Sequence, residues 1–162
     1  MSSTFRNGVI LGLLLAVVVG TYLFRLWQAD RQVSLHSLHL LHAIEERDAA
    51  KIAQFVDENY QDQWKQDRAT LLTRLRELLR YTRNLRITPI APLTESEGRE
   101  GKWSARVAIE ADPNELTVLI RERVNGLATP FILRWQRKSG KPWDWKLVSV
   151  SNESLELPAG EF

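Results

Sequence analysis

Residues 67–90 read DRATLLTRLRELLRYTRNLRITPI, and the hydrophobic period changes inside this stretch. Up to Arg83, Leu71, Leu72, Leu75, Leu78 and Leu79 recur three and four apart, which makes one apolar stripe on a helix whose first turn Asp67 is placed to cap. After Asn84 the residues alternate instead. Leu85-Arg86-Ile87-Thr88 runs into Pro89 and Pro92, and a strand that carries prolines belongs at a sheet edge. Helices are expected before this point and strands after it.

Working outward towards the N-terminus, VSLHSLHLLHAIEER (33–47) spaces Leu38, Leu41 and Ile44 as a helix does, with Leu35 and Leu40 beside them. Asp48 is placed to cap a second, short helix, AAKIAQFVDE, that buries Ile52, Phe55 and Val56. Residues 59–66, with Tyr60, Asp62 and Trp64 alternating, read as a loop or extended piece. Towards the C-terminus, 95–101 is a polar turn, and Trp103, Ala105, Val107 and Ile109 form the buried side of a strand. Asp112-Pro113-Asn114-Glu115 is a turn by composition. Leu116–Val124 alternates and is expected as a further strand, followed by strands at FILRW (131–135) and WDWKLV (143–148). Three helices followed by four or five strands predict an α+β domain, with helices packed on one face of a curved antiparallel sheet.

The N-terminal stretch has a different character. GVILGLLLAVVVGTYLF (8–24) holds seventeen residues without a charge. With Arg25 snorkelling and Leu26 and Trp27 added, about 20 residues suffice to cross a hydrocarbon layer of ~30 Å. The expected organisation is a tail (1–7), a transmembrane helix (8–27), the domain (28–152) and a C-terminal tail (153–162). A cleaved signal peptide ending near Val18-Val19-Gly20 is the alternative. No glycine or proline lies between Gly20 and Pro89, so the anchor is expected to continue unbroken into the first domain helix as a stiff stalk. The short N-terminal flank suits a signal-anchor, which places the protein in the cell inner membrane as a single-pass protein with a periplasmic domain.

Composition narrows the chemistry. The 162 residues contain no cysteine, which excludes disulfides, thiolate metal sites and a cysteine nucleophile. Of 22 basic and 20 acidic residues, Arg6 and Arg25 belong to the leader, so the remainder is neutral and is not a general binder of nucleic acid.

The run Leu40–Ile52, the leucine-rich third helix and the closing Lys141-Pro142-Trp143-Asp144-Trp145-Lys146-Leu147 strand resemble the nuclear transport factor 2-like (SnoaL-like) superfamily over roughly residues 33–152. The resemblance implies a cone-shaped, cystatin-like α+β fold that elsewhere serves isomerases, cyclases, dehydratases, transport adaptors and membrane-tethered assembly subunits. It is a signal of fold and not of function. An anchor followed by such a domain is similar in layout to the bitopic components of bacterial secretion systems.

Candidate sites follow from the residues. His36, His39 and His42 recur every third position and spread over about 120° of helix surface, so His36 and His39 could share a metal only with help, and no acid lies at the matching spacing before Glu45 and Glu46; they are expected to be a polar flank, and neither metal nor cofactor is expected. Arg76, Arg80 and Arg83 flank the leucine stripe and suit phosphate head groups or an acidic partner surface. Tyr60 and Trp64, in the loop, are further partner-binding candidates. The other tryptophans are expected to fill the concave sheet. Glu122, placed on a strand face among aliphatics, is the one candidate general base if that face lines a conical pocket. Asn152-Glu153-Ser154 matches a glycosylation acceptor. The expected function is a non-catalytic interaction or scaffold domain with a protein partner or a second copy of itself. The alternative is a pocket that binds or isomerises a small hydrophobic ligand.

Overall fold

Two helix starts form as their capping aspartates predict. Asp48 Oδ1 accepts from the Lys51 amide at 3.0 Å, and Asp67 Oδ1 from the Thr70 amide at 2.8 Å. Each supplies an acceptor for an amide that the helix leaves open. The computed structural model of the chain describes residues 3–155, with side chains from Gly12 onward. Most of the expected tail 153–162 thus lies outside the described residues. The helices are α1 (Ser3–Leu26), α2 (Ala29–Glu45), α3 (Ala49–Phe55), α4 (Arg68–Tyr81) and α5 (Glu115–Asn125). The strands β1 (Arg86–Glu97), β2 (Glu100–Glu110), β3 (Phe131–Arg137) and β4 (Trp145–Ser151) form one antiparallel sheet in that order. The domain is α+β, with its helices packed against this sheet.

β1 carries both prolines on the sheet edge and absorbs them with a bulge between Ile90 and Leu93. The polar turn expected over 95–101 contracts to Gly98-Arg99, because Glu95, Ser96 and Glu97 pair with Lys102, Gly101 and Glu100. α3 stops at Phe55, short of the expected residue 58. Val56 turns extended there and bridges Leu147 on the exposed edge of the sheet.

Three expectations are corrected. The stretch 116–124 is helix α5 and not a strand. Leu116, Ile120 and Val124 lie four apart as well as on alternate positions, so both periods fit them. Asn114 decides between the two, since its side chain accepts from the Thr117 amide while Thr117 Oγ1 accepts from the Asn114 amide, a reciprocal capping box. Trp143, expected on the last strand, sits in the turn before β4 and is 53% exposed. The continuous stalk is broken at Trp27-Gln28, where α1 and α2 meet at 67°. Gln32 holds this joint by donating from its buried side-chain amide to the Leu26 carbonyl at 2.8 Å. A side-chain donor here satisfies a carbonyl that the helix end leaves free.

Trp103, Trp135 and Trp145, each at most 2% exposed, form the core with Leu133, Leu147 and Ala105 from the sheet and Val33, Leu40, Ala43 and Ile52 from the helices. α2 crosses the sheet at Gly101, where a β-carbon would stand 2.3 Å from a methyl of Val33. The absence of a side chain there lets the helix reach the strands.

Candidate functional site

The helix-covered face of the sheet, where a ligand pocket is expected, is occupied by tryptophan. Trp135 meets His36 and Phe55 edge-on, at ring-centroid distances of 5.8 and 6.2 Å, and His36 meets Phe55 at 5.9 Å. Glu122 is not on this face. It lies exposed on α5 between Arg121 and Arg123, because the segment is helical, and the expected general base is therefore removed from the sheet.

The three histidines do not share surroundings. His39 and His42 are exposed, and His42 lies 3.3 Å from both Glu45 and Glu46. His36 turns inward, with Nδ1 2.8 Å from the Gln32 carbonyl and Nε2 3.0 Å from the Trp143 carbonyl. A neutral ring can donate to only one of these oxygens, so the geometry favours the charged form, but burial opposes it more strongly and lowers the His36 pKa below 6.5. A folded-state value below the unfolded one adds stability at neutral pH that is lost as pH falls through this range. Stability should therefore decline as pH falls from neutral through the ordinary histidine value of about 6.5 and below it, and His36→Gln should flatten that decline in thermal melts.

The loop residues expected to be accessible are largely enclosed. Tyr60 is 2% exposed, with its hydroxyl 3.5 Å from Asp62, and burial pushes its pKa upward. Trp64 is half-buried and donates from Nε1 to the Leu155 carbonyl at 3.0 Å. The Asp62 carboxylate shapes the loop by accepting from the Trp64 and Gln66 amides at 2.9 and 2.8 Å. Alternating aromatics in a polar stretch gave no sign of this turn. Asn152 of the glycosylation match is fully buried, and its Nδ2 donates to the Thr129 carbonyl, so the folded chain closes that acceptor.

Arg76, Arg80 and Arg83 remain exposed at the end of α4 and just beyond it, and among the described residues none is ion-paired. α5 is brought against this end. Asn114 Nδ2 donates to the Tyr81 carbonyl at 2.8 Å, and the Asp112 amide to the Arg83 carbonyl at 2.9 Å. The arginines stand beside Tyr81, which is 64% exposed, and the start of α5. Exposed guanidinium groups beside an exposed tyrosine are residue types that docking surfaces use. The arginines are legible in the sequence, whereas the approach of α5 to them is not, because the alternation over 116–124 suggests a strand.

No family model and no curated protein sequence matches the chain. Solved structures do. The chain is similar to Bd1075 of Bdellovibrio bacteriovorus at 13% identity and a TM-score of 0.59, over 75% of this chain and 40% of that one. It thus spans less than half the length of that protein. It is also similar to a nuclear transport factor 2-like protein of unknown function from Pseudomonas putida (10% identity, TM-score 0.58, 75% of this chain and 83% of that one). A nuclear transport factor 2-like protein from Cytophaga hutchinsonii gives 16% identity and a TM-score of 0.55, over 76% of this chain and 96% of that one. What the latter two share with this domain is the nuclear transport factor 2-like fold.

Proposed function

We propose that the protein is a single-pass, membrane-anchored interaction domain without catalytic chemistry of its own, acting in a bacterial envelope assembly with the domain on the periplasmic side. The observation that carries this reading is the exposure of α1. Leu13, Leu14, Leu15, Val17, Val18, Val19, Tyr22 and Phe24 are 48–71% exposed, so no part of the domain covers them. An apolar helix of this kind lowers its free energy by entering lipid. Among the described residues no single helix is long and apolar enough to cross a membrane; Gly12–Leu26 and Ala29–Glu45 meet that requirement only together, as a bent pair. The reading adds the helical backbone that precedes Gly12. All 24 residues of α1 reach about 36 Å, against a hydrocarbon thickness of ~30 Å.

The patch at the end of α4 is the proposed contact for an acidic protein surface. α2 starts beside the β1–β2 turn, where Asp30 and Ser96 are hydrogen-bonded, and ends beside the start of β1, where Glu45 Oε1 accepts from the Ile87 amide at 2.7 Å. Arg80 and Arg83 lead into that start of β1, and so lie about one length of α2, or ~25 Å, from the anchor. This position favours a partner protein over the lipid head groups that surround α1.

The test is fractionation of the full chain. It is expected in the membrane fraction after alkaline carbonate extraction, while a chain beginning at Gln28 is recovered in the soluble fraction. A mature protein that begins near Thr21 and floats free would overturn the anchor. A strictly monomeric, partner-free species in mild detergent, indistinguishable after Arg80→Glu and Arg83→Glu, would overturn the docking role.

A further inference from the structure

Beside α3, the loop from Val56 and the β3–β4 hairpin border an open cleft of about 540 Å³. Three cations, Arg68, Lys138 and Lys146, and two carboxylates, Asp57 and Glu58, line it. Arg68 donates from Nη2 to the Ala53 carbonyl at 2.9 Å and from Nε to the Val56 carbonyl at 3.3 Å. Lys146 donates to the Gln54 carbonyl at 2.6 Å. Lys138 is paired at 2.8 Å with the Asp57 carboxylate, which is itself 7% exposed and accepts from the Asn59 amide.

The charges do not cancel. Asp57 is committed to Lys138, and Glu58, the other carboxylate on the lining, is not ion-paired with Arg68 or Lys146, nor is any other acid among the described residues, so three cations stand against two carboxylates. The carbonyls at the end of α3 explain where these two side chains are held. A helix C-terminus, however, offers only about half of one negative charge, and here it faces two full positive ones. Donors are also left over. A guanidinium has five N–H groups and an ammonium three, and the bonds above use two and one of them.

We propose that this cleft binds an oxyanion, a phosphate or carboxylate group carried by a small polar ligand, between Arg68 and Lys146. The fork of Arg68 matches two oxygens of such a group, and the volume exceeds what a bare ion needs and falls in the range of small-molecule sites. The proposal is independent of the anchor and of the α4 patch.

The experiment titrates the detergent-solubilised full chain with inorganic phosphate and, separately, with succinate, at constant ionic strength set by chloride so that general screening is held fixed. Saturable heat of binding is expected for at least one of them, with Tm raised by about 5 °C at a hundredfold excess over Kd. Lys146→Met should weaken that binding about tenfold or more, as loss of a charge-assisted bond predicts. Asn59→Asp, which adds a negative charge on the cleft lining without touching α3, should do the same. Binding of phosphate alone assigns the site to a phosphate group, and binding of succinate alone to a carboxylate. If neither anion binds saturably, or if both variants bind as the parent does, the proposal is overturned.

Discussion

A chain carrying Trp135→Ala is expected to lose about 3–5 kcal/mol of stability, the range for truncating a fully buried aromatic side chain. The residue is 1% exposed, is paired in register with Gly101 and Leu147, and is enclosed by the edges of His36 and Phe55. Gly101 has no side chain to fall into the space, and α2 is already in contact with the strand there, so the cavity cannot close cheaply. The indole N–H has no hydrogen-bond partner among the described residues. The cost is therefore one of packing, and Trp135→Phe separates the two contributions. Phe keeps most of the ring contact and removes an orphaned donor, so its loss should stay below about 1.5 kcal/mol. A domain of ordinary stability, about 5–15 kcal/mol, tolerates the second change and is left marginal by the first. Thermal and guanidinium unfolding of the full chain in detergent, followed by circular dichroism, measures both. An alanine variant that unfolds at the parent midpoint would mean that the helix-covered face is not a closed core, and would reopen the pocket reading.

The way Trp135 is held also shows what could be read before the fold was known. The capping aspartates, the helix that carries the leucines of α4 and the first half of the alternation of β2, to Ala105, each depend on neighbours within a few residues and form as expected, whereas Val107, Ala108 and Ile109 are all half-buried. α5 is not legible because Leu116, Ile120 and Val124 satisfy two periods at once, and Val118 favours the alternating one. Its capping box, Asn114 with Thr117, was present in the sequence but was read as turn composition. The bend at Trp27-Gln28 has no glycine or proline to announce it, and depends on a side chain, Gln32, bonding to a carbonyl six residues earlier. The cleft was beyond reach for a different reason. Arg68, Lys138 and Lys146 are brought together only because the chain after α3 bridges β4 at Leu147. Such contacts are set by topology and leave no local pattern. The arginines of α4 lie between these cases, since their helix was legible and the α5 surface beside them was not.

Asn152→Asp, a change of one atom group, is expected to destabilise the domain by about 3 kcal/mol at neutral pH, because it buries a charge that lacks a full set of partners. Asn152 is fully buried and joins three segments. Its Oδ1 accepts from Thr129 Oγ1 at 3.0 Å and from the Ser154 amide at 2.9 Å, and its Nδ2 donates to the Thr129 carbonyl at 3.0 Å. Its own amide and carbonyl bond the side chain of Gln63, at 3.0 and 2.7 Å, which ties in the loop that carries Trp64. A carboxylate would retain the two donors and turn its second oxygen towards the Thr129 carbonyl, acceptor against acceptor. Burial raises the pKa of such a group above its unfolded value, so the penalty is largest at neutral pH and is relieved as pH falls through the folded-state value. Once protonated, the acid can donate to Thr129 as the amide did. The difference in unfolding free energy between parent and variant, taken at each pH so that the His36 contribution cancels, should therefore shrink on acidification. Asn152→Ala, which has no proton to gain, should show a loss of similar sign that does not change with pH. A variant difference flat in pH for Asn152→Asp as well would mean that water reaches the side chain, and that this three-way joint is looser than its hydrogen bonds imply.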